Sequence, residues 1–263
     1  MRRVTKRLRW STALLVIVVA ALTVSLQQAW SHAAPPPPPE VRLLGLGDSV
    51  TAGTDCGCPD YVTGLGRLLA DRDSRPVTVD NLGASGATTS DLLAALSTDR
   101  ALQQAVSRAD VVVVTLGAND LTDSLDAWHR GGCSVGCYQP GVDAMSERLT
   151  QAVSAIRKLR SGAPAQILLT TYWNVFADGE VAERAESDGY LAWSDQITRA
   201  ANQAIRRSAD RTGAACVDLY GPYRAHQGNS PTDLLAGDGD HPNPAGTALI
   251  SRQALAAVRD LRR

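Results

Sequence analysis

The chain has 263 residues, 44% hydrophobic and 20% charged, with 22 glycines, 13 prolines and few aromatic rings, a balance that excludes collagen-like, coiled-coil and wholly disordered chains. The formal net charge of −1 hides an asymmetry. The first 33 residues hold Arg2, Arg3, Lys6, Arg7 and Arg9 and no acid, so the rest carries 21 basic against 27 acidic side chains, a net of −6 that argues against a nucleic-acid partner.

From the N-terminus, five cations precede the apolar run Ala13 to Leu26, and small residues follow around Ser31, Ala33 and Ala34. Residues 1–34 therefore read as a secretory signal, because the run of about 14 residues is shorter than the roughly 20 that a spanning helix needs. Trp10 and Trp30 bracket the run as interfacial rings would, which leaves a retained membrane anchor as the alternative. Residues 35–40 form a proline-rich linker, stiff and unable to join a sheet, and residues 41–263 form the folded domain.

Beyond the linker, short apolar runs alternate with helical periodicity. Strands are expected at Val41 to Leu46, Val77 to Leu82, Val111 to Leu116, Ile167 to Tyr172 and Ala214 to Leu219. Helices are expected at Tyr61 to Arg72, Ser90 to Arg108, Val142 to Arg160, Gly189 to Thr212 and Pro244 to Leu261. This β-α alternation implies an α/β fold: a five-stranded parallel sheet between helical layers, a three-layer flavodoxin-like sandwich of strand order 2-1-3-4-5.

Ligands of such folds sit at the carboxyl ends of the strands. The loops expected there carry Gly47-Asp48-Ser49, Asn81 through Gly86, Gly117-Ala118-Asn119-Asp120 and Asp238-Gly239-Asp240-His241. Acyl-ester hydrolysis needs a nucleophile, a base, a group that orients the base, and donors for the developing oxyanion. Ser49 at a strand exit suits the nucleophile, although a serine there also caps helices. His241 suits the base, since His32, His129 and His226 lie in the leader or in loops without neighbouring chemical groups. Asp238, three residues before His241, can reach the imidazole Nδ1. Asp240 is the competing carboxylate, but a sequence neighbour of His241 tends to point away from it. The backbone N–H groups of Ser49 and Gly86, with the side-chain amide of Asn119, can form an oxyanion hole, although turn chemistry alone would explain Gly86 and Asn119.

These blocks, in this order and at about this spacing, resemble the SGNH (GDSL-type) hydrolases over roughly residues 41 to 261. The resemblance implies the flavodoxin-like fold and a serine esterase, lipase or carbohydrate-deacetylating activity that needs neither metal nor organic cofactor. Carried over, the family's roles fall on Ser49 as nucleophile, Asp238 and His241 as the other triad members, and Ser49, Gly86 and Asn119 as oxyanion donors. Two departures stand out: Ala118 where many members have a second Gly, and Val50 where the older motif name has Leu.

In an exported protein, Cys56, Cys58, Cys133 and Cys137 can form disulfides. Cys56 and Cys58 look too close in sequence to bond with each other, so bridges between the two loops, or a local Cys133–Cys137 bridge, are expected. A zinc site built from the same C-x-C and C-x₃-C spacings competes with this reading. Cys216, in the fifth strand, is expected to be a buried free thiol.

Trp128, Tyr138, Trp173, Phe176, Tyr220 and Tyr223 follow strand ends or sit in long loops, so some should line the crevice, where they suit an acyl chain or a sugar equally. The expected partner is a small-molecule, lipid or glycan ester bound by a monomer, with membrane contact only through a retained leader. Polysaccharide deacetylation is the rival activity. A non-catalytic flavin- or nucleotide-binding protein is the rival of another class, but the chain lacks a Gly-x-Gly-x-x-Gly turn and a Walker-type lysine, Lys158 being its one lysine outside the leader.

Overall fold

The computed structural model describes residues 39–160, 165–225 and 230–261. The leader and most of the proline-rich linker lie outside the described residues. Five parallel strands form one sheet in the order β2-β1-β3-β4-β5: β1 Val41–Gly47, β2 Val77–Gly83, β3 Val111–Thr115, β4 Gln166–Thr170 and β5 Ala215–Val217. The expected fold class and strand order are those observed. Burial explains the sequence pattern: every residue of central β3, Val-Val-Val-Val-Thr, is buried, whereas edge strand β2 alternates half-buried with exposed positions. Each fully buried Val contributes about 1.5–3 kcal/mol relative to exposure.

Ten helices join the strands among the described residues: α1 Ser49–Ala52, α2 Tyr61–Asp73, α3 Thr89–Thr98, α4 Arg100–Arg108, α5 Thr122–His129, α6 Val135–Leu159, α7 Gly179–Ala185, α8 Tyr190–Thr212, α9 Tyr220–Arg224 and α10 Pro244–Ala257. α2 and α10 pack together on one face of the sheet, while α3, α4, α6 and α8 cover the other. No described helix is long and apolar enough to cross a membrane.

Three differences from the periodicity have local causes. The helix expected over Ser90 to Arg108 is two, because Asp99 ends α3 in extended conformation and its carboxylate accepts the first N–H groups of α4, from Ala101 and Leu102. Helix α6 starts seven residues before Val142 and carries Pro140 in its second turn. Proline lacks an N–H and clashes in a helix interior, which is why the sequence pattern placed the start beyond it. The short helices α5, α7 and α9, of eight, seven and five residues, are themselves too brief to show a full apolar period.

The cysteine expectation needs correction. Cys56 and Cys58 are disulfide-bonded to each other, and Cys133 is bonded to Cys137. The tight first bridge is possible because Asp55 and Gly57 both adopt positive φ (57° and 62°), curling the chain until the Cα atoms of Cys56 and Cys58 lie 5.0 Å apart. No bridge joins the two loops, and the local pairings leave none of the four sulfurs as a thiolate for the competing zinc site. Cys216 is free but half-buried rather than fully enclosed, and burial pushes its thiol above the usual range.

Candidate active site

The strand order reverses direction between β1 and β3, and the segments leaving their carboxyl ends flank a crevice. Gly47 closes β1 at φ +146°, and a Cβ there would lie 2.0 Å from the Thr115 carbonyl oxygen, so no larger residue fits. That close approach lets the Asp48 N–H donate to the same carbonyl at 3.0 Å and turns the chain abruptly into α1. Asp48 caps α1 by accepting the Val50 N–H at 3.0 Å, which leaves Ser49 as the first helical residue, half-buried at the strand exit.

The Asp48 carboxylate is 1% exposed and also accepts a hydrogen bond from the Tyr172 hydroxyl. Burial pushes its pKa up to about 6 despite that bond. Behind the site, the Tyr61 hydroxyl and Thr115 share a hydrogen bond of 2.8 Å, and Thr170 donates to Thr115 at 2.8 Å. Asn81 ties β2 to α1, donating to the Thr51 carbonyl at 2.7 Å and accepting the Gly83 N–H at 3.0 Å. Gly86 follows at φ +79°, a left-handed backbone position where a side chain would meet nothing within 4 Å.

Asn119 begins a 3₁₀ turn after β3 and donates one amide hydrogen to the Ala87 carbonyl at 2.9 Å. That bond joins the segments holding Gly86 and Asn119 and leaves the second amide hydrogen available. Next to it, Asp120 accepts from the Thr89 N–H at 2.9 Å and from Arg148 at 2.8 Å, with its side chain 1% exposed. This pairing pins the start of α3 to the 3₁₀ turn.

The fourth block folds as a stapled loop. The Asn243 amide donates to the carbonyls of Asp233 and Leu235 at 2.9 and 3.0 Å, and its oxygen accepts from Ala245 and Gly246 to cap α10. Gly239 at φ +74° bends the loop back, and one Asp238 oxygen accepts the N–H groups of Asp240 and His241 at 3.0 and 3.1 Å. The other Asp238 oxygen lies 2.5 Å from His241 Nδ1, and His241 Nε2 lies 2.8 Å from Ser49 Oγ, across 192 residues of chain. Ser49, His241 and Asp238 thus form one continuous hydrogen-bond line. Asp240 makes no hydrogen bond to the imidazole and faces the crevice instead.

Electrostatics follow this geometry. Burial on its own would lower the His241 pKa, but the bond to Asp238 and the negative charges of Asp240, Asp238 and Asp55 outweigh it and raise it. Burial works against the ionised Asp238, yet hydrogen bonds from His241 and from the two backbone N–H groups hold its pKa below the usual range. Asp240 is pushed up to about 6 by burial. One group among the described residues has ligand atoms close enough for a metal, Asp55, Asp238 and His241, within 4.8 Å of one another, but Nδ1 of His241 already serves the Asp238 bond.

A cavity of about 160 Å³ opens beside Ser49 and His241, walled by Leu125, Tyr172, Trp173, Val175 and Phe176 and by the polar residues Asp48, Asn119 and Asp240. Trp173 and Phe176 are therefore the expected rings that reach the crevice. Trp128 instead stacks on Trp193 at 4.8 Å, and Tyr223 stacks on Trp173 at 4.5 Å from behind. His129 pairs with Glu186 at 3.0 Å, while His32 and His226 lie outside the described residues. A larger cavity of about 600 Å³ at the opposite end of the sheet, bordered by Arg75, Arg157, Arg160 and Arg259, touches none of these groups. The sequence reading missed Tyr172 and Asp55. No local pattern announces the Tyr172 contact with Asp48, 124 residues away.

Residues 46–249 match the GDSL-like lipase/acylhydrolase family model, a span that contains all four blocks. The chain belongs to this family. It is similar to the spore germination lipase LipC of Bacillus licheniformis, 24% identical over 81% of this chain and 93% of the relative. The solved structure of lipase Lip_vut3 from a goat rumen metagenome superposes with a TM-score of 0.70 at 20% identity, over 82% of this chain and 97% of the other. An acetylxylan esterase from Geobacillus stearothermophilus gives 0.55 at 22% identity, over 84% of this chain and 97% of the other. At these identities, the likeness to the two solved structures is one of fold.

Proposed function

We propose that this GDSL-family chain is an exported serine esterase or lipase that hydrolyses carboxylic esters through Ser49, His241 and Asp238. The observation that carries the reading is the unbroken line from Ser49 Oγ to His241 Nε2 at 2.8 Å and from His241 Nδ1 to Asp238 at 2.5 Å. Asp238 holds the imidazole so that Nε2 presents its lone pair to the serine hydroxyl. Ser49 Oγ attacks the ester carbonyl carbon as its proton passes to Nε2, and the carbonyl π pair becomes an oxyanion. The N–H groups of Ser49 and Gly86 and the free amide hydrogen of Asn119 hold that charge. Collapse breaks the bond to the alcohol oxygen, which takes the proton from Nε2 and departs, leaving an acyl group on Ser49. A water molecule, deprotonated by His241, repeats the sequence and releases the carboxylic acid.

The cavity beside Ser49 supports a short acyl group, since about 160 Å³ holds roughly five waters at about 30 Å³ each. The same volume suits the acetyl group of a decorated glycan, so deacetylation of polysaccharide is the second reading. Export is supported by the basic, apolar leader and by two disulfides, which persist in oxidising compartments.

A fluorophosphonate probe tests the nucleophile. Covalent labelling of the wild type, abolished in Ser49→Ala, is the expected result, and a folded wild type that does not label overturns the assignment. Comparing acetate release from acetylated glycans with hydrolysis of p-nitrophenyl esters of graded length separates the two substrate readings.

A further inference from the structure

Apart from the reacting groups, the polar side chains around the active-site cavity are satisfied within the protein, with two exceptions. Asp48 accepts from Val50 and Tyr172. Asn174 donates to Ser194 and accepts from the Phe176 N–H and the Thr198 hydroxyl. Thr122 donates to the Asn119 carbonyl. The Asp240 carboxylate, by contrast, accepts no hydrogen bond and joins no ion pair among the described residues, although it lines the cavity next to His241. The indole N–H of Trp173, on a ring only 1% exposed that lines the same cavity, also has no partner.

The Asp240 carboxylate is half-buried and its oxygens are not among the enclosed unpartnered atoms, so water serves them in the free protein, and a substrate that displaces this water must itself supply a donor or leave the charge unpaired. Burial, with a smaller push from the Asp238 charge, raises the Asp240 pKa to about 6 against the opposing pull of His241. The two unsatisfied groups are complementary in kind, one an acceptor and the other a donor. A hydroxyl suits either, since it carries one hydrogen to donate and two lone pairs to accept with. A plain methylene chain would leave both unpaired, and an anionic group would face the charges of Asp48 and Asp240.

We propose that Asp240 is a specificity residue whose carboxylate accepts a hydrogen bond from a substrate hydroxyl near the scissile ester, directing the enzyme toward hydroxylated rather than plain aliphatic esters. The proposal rests on the esterase reading above and assigns Asp240 no part in the proton transfers. A hydrogen bond to a charged acceptor, and the rejection of analogues that leave it unmade, corresponds to roughly tenfold to a hundredfold in kcat/KM.

The test compares matched esters by titrating released acid: methyl butyrate with methyl 3-hydroxybutyrate for the acyl side, and propyl acetate with glycerol 1-acetate for the alcohol side. Wild type is expected to favour the hydroxylated member of at least one pair by about tenfold or more. Asp240→Leu should move that ratio by about tenfold toward the aliphatic ester. Asp240→Asn, which keeps an acceptor oxygen, should fall between. Taking the ratio within each variant cancels any general loss of activity or folded fraction. Unchanged ratios in Asp240→Leu overturn the proposal, and so does a preference for methyl 3-aminobutyrate over its hydroxy analogue, which would make the ligand a cation. Fluorophosphonate labelling of every variant keeps the readings apart. Labelled protein with unchanged ratios removes only the role of Asp240, whereas an unlabelled wild type removes the esterase reading and this one with it.

Discussion

Replacing Asn119 with Ala separates catalysis from stability, because the proposed mechanism gives its two amide hydrogens different tasks. One donates to the Ala87 carbonyl at 2.9 Å, and losing that bond costs about 1 kcal/mol of stability. A domain of this kind is stable by about 5–15 kcal/mol, so the variant remains folded at 25 °C and its Tm falls by about 2–4 °C. The other hydrogen is free for the oxyanion, and removing such a donor lowers kcat by about 10²–10³, equivalent to about 2.7–4 kcal/mol of transition-state stabilisation. The expected signature is thus a collapse of kcat with little change in melting. Initial rates on p-nitrophenyl acetate, read beside thermal unfolding, measure both. Asn119→Asp, which has the same shape but no N–H and adds a negative charge beside the oxyanion, should be at least as slow. A kcat within about threefold of wild type in a folded Asn119→Ala protein would refute the oxyanion role and leave Asn119 as a tie between loops.

Further outcomes follow from the electrostatics and the backbone. His241 must be neutral to accept the Ser49 proton and its pKa is raised, so the acid limb of kcat/KM should lie above about 6.5; Asp240→Asn removes one of the charges that raise it and should move the limb down, and a limb that stays put would contradict the origin of the shift. The buried Asp48 carboxyl holds its proton up to about 6 in the folded protein against 3.8 ordinarily. The folded state therefore binds this proton more tightly than the unfolded one, and the stability it lends below pH 3.8, about 3 kcal/mol, is lost as pH rises through about 6. Asp48→Asn keeps the cap and avoids the buried charge, so its Tm should match wild type at pH 4 and exceed it at pH 8; equal melting at both would discount the buried charge. Gly47→Ala sets a methyl group against the Thr115 carbonyl and should destabilise by about 3–5 kcal/mol in urea unfolding, with wild-type stability counting against the close approach.

Much of the fold is legible in the chain itself because the relevant physics is local. An apolar run such as Val111 to Val114, short and wholly β-branched, reads as a strand covered on both faces, and its alternation with helical periods leaves few parallel topologies. Helix ends depended on single side chains, such as the Asp99 cap, which a period count passes over. The chemistry-bearing blocks were also legible, because glycine at 47, 86 and 239 and polar groups at strand exits are residue types whose conformational freedom or donors cannot be supplied by others.

Only the tertiary structure decided how those blocks meet. The choice between Asp238 and Asp240 turned on the direction of two carboxylates in one loop, set by the Gly239 bend and by backbone donors to Asp238. The Cys56–Cys58 bridge depended on two positive φ angles that sequence spacing does not reveal. Tyr172 on Asp48, and Asp240 left unpaired in the cavity, are contacts or their absence between segments far apart in the chain, and only packing sets them. Residue types determine which reactions are chemically available. Which carboxylate bonds to the imidazole and which lines the cavity is a matter of distance and direction, and those belong to the folded chain.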